Sequence, residues 1–67
     1  MTNVKLLQQK IKEHDLGPVE MAAAWGVSLP TYYKLITNER EFTASMIVTS
    51  QTLLDLTLEE RDAIFLT

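Results

Sequence analysis

The 67-residue sequence has no cysteine, one histidine, one tryptophan, two glycines and two prolines. Without cysteine, neither a disulfide nor a thiolate metal site can staple so short a chain. His14 has no second histidine with which to share a metal, and its place at an expected helix end suits an interaction with the helix dipole. No apolar run approaches the roughly 20 residues of a membrane span. No basic-then-apolar leader pattern opens the sequence, so a cytoplasmic protein with no membrane partner is expected. Phosphate-binding loop, nucleophile elbow and zinc spacings are missing too. The carboxylates Asp55, Glu59, Glu60 and Asp62, with Glu39 and Glu41, lack a partner histidine and read as solvated helix ends. The expectation is therefore a protein that is not an enzyme and needs no cofactor.

Positive charge is also scarce. Six Lys and Arg stand against nine Asp and Glu, a net charge of −3. Non-specific affinity for nucleic acid comes mainly from cations neutralising phosphates, and a dedicated binder usually carries a basic excess. The charge on one face matters more than the sum. Lys34 and Arg40 lie close together in sequence, and Lys5, Lys10 and Lys12 fall near the N-terminus, while four acids gather from Asp55 onward.

What is present describes an ordinary globule: 46% hydrophobic and 22% charged residues. A chain of this length is expected to form a single domain over 1–67, stabilised by helix packing and helped by dimerisation. Asn3 can cap a first helix over about 3–14, with Val4, Leu7 and Ile11 facing in and Leu6 widening the face. Gly17 suits the left-handed position that closes it. Phe42 is expected to plug the core beneath a polar connection. Thr43 then caps a helix running to about Asp55, with Ile47, Leu54 and either Val48 or Gln51 inward. Thr57 with Glu60 three residues on forms a capping box for a last helix, Leu58 to about Leu66, whose tail is unusually apolar.

Between these lies the stretch around which the chain is organised, residues 18–38. Pro18 fits an early helical position, and Met21, Ala22 and Trp25 then share a face. Gly26 can take positive φ and end that helix. Ser28 caps a second helix with Pro30 in its first turn, and Tyr32, Leu35 and Ile36 face inward. Asn38 tolerates the left-handed conformation that ends it. Two short helices joined by a tight glycine turn, with a small residue at the crossing, match helix-turn-helix geometry.

On Ala22, Gly26 and the apolar set Met21, Trp25, Val27, Tyr32 and Leu35, the stretch resembles the helix-turn-helix of the lambda repressor and Cro family of regulators. The resemblance implies an all-α, five-helix lambda-repressor-like domain and a small sequence-specific transcriptional regulator of phage or mobile-element type. It implies double-stranded operator DNA as partner, with the second motif helix in the major groove. Carried over position by position, it makes Ser28, Leu29, Thr31, Tyr33, Lys34 and Thr37 the outward readers. Ser28 and Thr31 would donate to phosphates or base edges, Tyr33 and Lys34 would reach bases or backbone, and Leu29 would touch a thymine methyl. Asn38 and Arg40 would meet phosphates at the groove's edge. The sequence departs from the family where Pro18 and Val19 replace a frequent glutamine, and in having no arginine on the second motif helix. The commonest specific contact, bidentate arginine to guanine, is missing there.

The resemblance also implies a two-fold homodimer built on the apolar terminal helix, at Ile64, Phe65 and Leu66. The acidic balance supports a rival expectation, a helix-turn-helix module that binds a partner regulator protein rather than DNA. A third is an architectural factor that bends DNA with little sequence dependence.

Overall fold

A computed structural model of the chain describes residues 1–66. Five helices follow in order: α1 (Val4–Glu13), α2 (Pro18–Trp25), α3 (Leu29–Ile36), α4 (Ala44–Leu53) and α5 (Leu58–Phe65). There is no strand among the described residues, and none of these helices is long and apolar enough to cross a membrane.

Side chains supply the missing hydrogen-bond partners at the helix starts. Asn3 Oδ1 accepts the Leu6 N–H at 3.2 Å, Ser28 Oγ that of Thr31 at 3.4 Å and Thr43 Oγ1 that of Met46 at 3.3 Å. The capping box of α5 is reciprocal: Glu60 N–H donates to Thr57 Oγ1 at 3.1 Å, and Thr57 N–H to Glu60 Oε1 at 2.9 Å. For α2 the Gly17 N–H donates to Glu20 Oε1 at 2.8 Å.

The helix ends explain how a chain with two glycines makes five helices. Four helices close with a left-handed residue followed by a 6→1 backbone bond, the Schellman pattern. Only α2 uses glycine, with Gly26 at φ 72° and Val27 N–H donating to Ala22 O at 2.9 Å. The others use Asp15 (φ 59°), Asn38 (φ 63°) and Asp55 (φ 49°), the residue types whose short polar side chains tolerate this region best. Their 6→1 bonds run from Leu16 to Ile11 O, Glu39 to Lys34 O and Leu56 to Gln51 O. Leu16, Val27 and Leu56 then turn back onto the core, as the residue after such a closure commonly does.

Gly17 therefore does not have the role its composition suggested. It is extended (φ −125°) and stands at the start of α2; Asp15 closes α1. A Cβ at Gly17 would lie 3.0 Å from the Glu20 carboxylate oxygen that caps the helix. His14 ends α1, its ring Nδ1–H donating to Lys10 O at 2.9 Å.

One apolar cluster joins all the helices. Leu7 and Ile11 come from α1, Met21, Ala22 and Trp25 from α2, Tyr32 and Leu35 from α3, Leu54 and Leu56 from the α4–α5 connection, and Ile64 and Phe65 from α5. Ile36 and Phe42 are half-buried against it. Helix α4 departs from expectation. Its one fully buried residue is Ser50, with Met46, Ile47 and Gln51 half-buried and Val48 turned outward. The Trp25 Nε1–H donates to Ser50 Oγ at 2.9 Å, and that hydroxyl donates onward to Met46 O at 2.8 Å, so the one buried polar residue among those described is satisfied on both sides.

Rings touch in a continuous path from α5 to the surface of α3. Phe65 meets Phe42 edge-on at 5.3 Å, Phe42 meets Trp25 at 5.0 Å, Trp25 stacks on Tyr32 at 5.6 Å, and Tyr32 meets Tyr33 edge-on at 5.3 Å. These separations and tilts are the ones the ring quadrupole favours. Outside the core, Lys10 of α1 pairs with Glu60 of α5, and Asn3 N–H donates to Ile64 O at 2.7 Å.

Candidate nucleic-acid interface

Helix α3 buries Tyr32 and Leu35 and presents the opposite side to solvent. Leu29 is 40% exposed and Tyr33 50% exposed, and Pro30, Lys34, Thr37, Asn38 and Arg40 are exposed as well. Thr31 is half-buried. The structure thus brings the expected outward set together on one side of α3 and its exit loop. Pro30, not counted among the readers, shares the face of Leu29 and Tyr33 because 29 and 33 are four residues apart and 30 and 33 three.

Most of the polar members are already engaged. Ser28 Oγ donates to Thr31 Oγ1 at 3.1 Å while capping the helix. Thr37 Oγ1 lies 2.8 Å from both Tyr33 O and Glu39 Oε2, two acceptors competing for its one proton. The Asn38 amide is paired at both ends with the backbone of Thr2, accepting from its N–H at 3.3 Å and donating to its carbonyl at 3.1 Å. This last contact spans 36 residues, and no sequence signal marks it.

Four cationic side chains keep their charge unpaired. Lys34 and Arg40 enter no ion pair among the described residues, and neither do Lys5 and Lys12 of α1. Lys10 belongs with neither group. It pairs with Glu60 and lies 3.6 Å from Glu13, and the hydrogen bond to the Glu60 carboxylate holds its ammonium above the usual lysine range. No acid interrupts the chain from Met21 to Asn38, although Glu39 and Glu41 follow directly. Burial pushes the Tyr32 phenol up, with the neighbouring Tyr33 adding to the shift.

The terminal helix corrects the expectation placed on it. Ile64 is fully buried in the chain's own core and offers no surface to a second copy, while Phe65, 8% exposed, is mostly buried there and shows only an edge in the α4–α5 groove. Two open grooves flank α4. Leu66 alone of the three is exposed, at 69%. It lies with Ala44, Ile47 and Val48 along the α4–α5 groove, and Val48 also borders a second groove with Ala24 and Leu53. Helix α4 carries no charged residue. Among the described residues, no three His, Cys, Asp or Glu side chains are grouped to hold a metal ion.

Compared with protein-family models, with curated proteins and with solved structures, the chain gives no match.

Proposed function

We propose that the chain is a small helix-turn-helix DNA-binding regulator of the lambda repressor and Cro type, with α3 entering the major groove. The observation that carries this reading is the outer side of α3. The helix itself presents a continuous exposed side that carries no acid and holds the unpaired Lys34, with the unpaired Arg40 following between Glu39 and Glu41, and it is braced from behind by α2 through the Gly26 turn. A surface of that kind tolerates a polyanion, and its cations supply the phosphate contacts that fix orientation on a duplex. The net charge of −3 is compatible with it, because three of the nine acids (Glu59, Glu60 and Asp62) belong to α5.

A module this small makes few contacts, and a homodimer that sets two copies of α3 one DNA turn apart provides the remaining affinity. With Ile64 inside, the apolar residues such a dimer would use line the α4–α5 groove, Ile47, Val48, Phe65 and Leu66, of which Val48 and Leu66 are the most exposed. Repression by occupying an operator is the corresponding mechanism.

The test is charge removal at the two unpaired cations of α3 and its exit loop. Lys34→Ala and Arg40→Ala each weaken binding to duplex DNA taken from around the gene, and each lowers the slope of log affinity against log salt by about one. Unchanged affinity in both variants removes the proposed docking. One observation favours a second reading: the uncharged α4, with Val48 62% exposed between two grooves, suits an apolar face of a partner protein. Partner binding that persists at high salt, with DNA binding absent, would select it.

A further inference from the structure

The engagement of the polar side chains on α3 leaves an unusual reading surface. Ser28 and Thr31 pair with each other, Thr37 is held by Tyr33 O and Glu39, and Asn38 is held by Thr2. The exposed groups left at the start of the helix are the apolar Leu29 and Pro30 and the ring of Tyr33 with its phenol hydroxyl, with Lys34 one residue further on; Thr31, which accepts from Ser28 and keeps its own proton, is half-buried. Tyr33 is also the last ring of the aromatic path, braced edge-on against the buried Tyr32 at 5.3 Å, so little freedom is lost when it is used.

In the major groove, base edges offer hydrogen-bonding groups and one apolar feature, the C5-methyl of thymine. An apolar tip that met the polar edges of G·C pairs would strip water from them without replacing it, a net cost. The same tip against thymine methyls buries apolar surface on both sides. We propose that this protein selects its DNA through thymine methyl groups packed against Leu29, Pro30 and Tyr33, with the unpaired Lys34 and Arg40 supplying orientation on the phosphates. The proposal rests on the reading of α3 as the DNA-contacting helix and assigns that helix its sequence preference.

The experiment starts by enriching bound duplexes from a random pool. Each thymine of the enriched site is then replaced by deoxyuridine, which deletes the methyl and keeps every hydrogen-bonding edge. Loss of about fourfold in affinity per contacted methyl is expected. In Leu29→Ala, whose partly exposed side chain leaves the core intact, the thymine-to-uracil ratio should fall toward one while the salt dependence stays as in the parent. A site enriched in guanine, or a thymine-rich site indifferent to uracil, overturns the proposal and leaves DNA binding standing. So does binding with no enrichment at all. Absence of any DNA binding at low salt overturns both the proposal and the reading beneath it.

Discussion

The indole N–H of Trp25 donates to the hydroxyl of Ser50 across 2.9 Å in the interior, and among the described residues Ser50 is the only buried polar one. This bond joins α2 to α4, a helix that otherwise gives the core only half-buried side chains. Ser50→Ala leaves the indole donor buried without a partner, which costs about 1–3 kcal/mol. Chemical denaturation followed by tryptophan emission measures the loss directly. An unchanged midpoint would show that the bond is replaceable, by water or by a shift of α4.

The pair between Lys10 and Glu60 makes stability depend on pH at both extremes. The hydrogen bond from Lys10, and the backbone N–H of Thr57, hold the Glu60 carboxyl below its usual range. Its contribution is therefore present above the ordinary carboxylate value and is lost as pH falls through the lowered one. Lys10 is raised, so its contribution is present below the ordinary lysine value and is lost as pH rises through the raised one. Glu60→Gln keeps an oxygen to cap Thr57 but removes the charge. Thermal melts from neutral to acid pH should show a shallower acid limb in this variant, and less sensitivity to salt.

The two glycines are not equivalent. Gly26 has φ 72° and no atom within 4 Å of an added Cβ, so Gly26→Ala meets backbone strain alone, about 1 kcal/mol. Gly17 is extended, and a Cβ there meets only the free end of the Glu20 side chain, at 3.0 Å. Gly17→Ala should therefore destabilise less than Gly26→Ala in parallel urea titrations. The reverse order would mean that the Glu20 cap matters more than the α2–α3 turn.

Asn38 does two jobs that substitution can separate. Asn38→Gly keeps the left-handed closure of α3 but frees Thr2, whereas Asn38→Ala loses both. The alanine variant should be less stable than the glycine variant by about 1 kcal/mol. Amide exchange at Thr2 should accelerate in both.

The reach of sequence reasoning follows the range of the interactions. Asn3, Ser28, Thr43 and Thr57 cap helices through partners three residues away, and such spacings are visible in the sequence. The inward residues of α1, α2 and α3 follow the helical period, as do the turns at Gly26 and Asn38. Gly17 misled because aspartate also tolerates positive φ, and Asp15 reaches that position first. Ser50 gave no signal, since a serine inside a helix is read as solvated until a tryptophan 25 residues away is known to need an acceptor. Ile64 and Phe65 are apolar enough to serve either a core or an interface, and only the packing of the whole chain shows that Ile64 is fully and Phe65 mostly spent on the core. On α3 the exposed set was legible, but the engagement of its hydroxyls and amide was not. The Asn38–Thr2 pairing depends on a contact between distant parts of the chain.

The most direct test of the central claim is a titration of the protein into duplex DNA from around its gene, with a scrambled duplex as control, at two salt concentrations. If α3 is a DNA-reading helix, binding is selective for the native duplex and weakens steeply as salt rises, because cations on the protein displace counterions from phosphates. Equal and undetectable binding to both duplexes at the lower salt concentration would contradict the account.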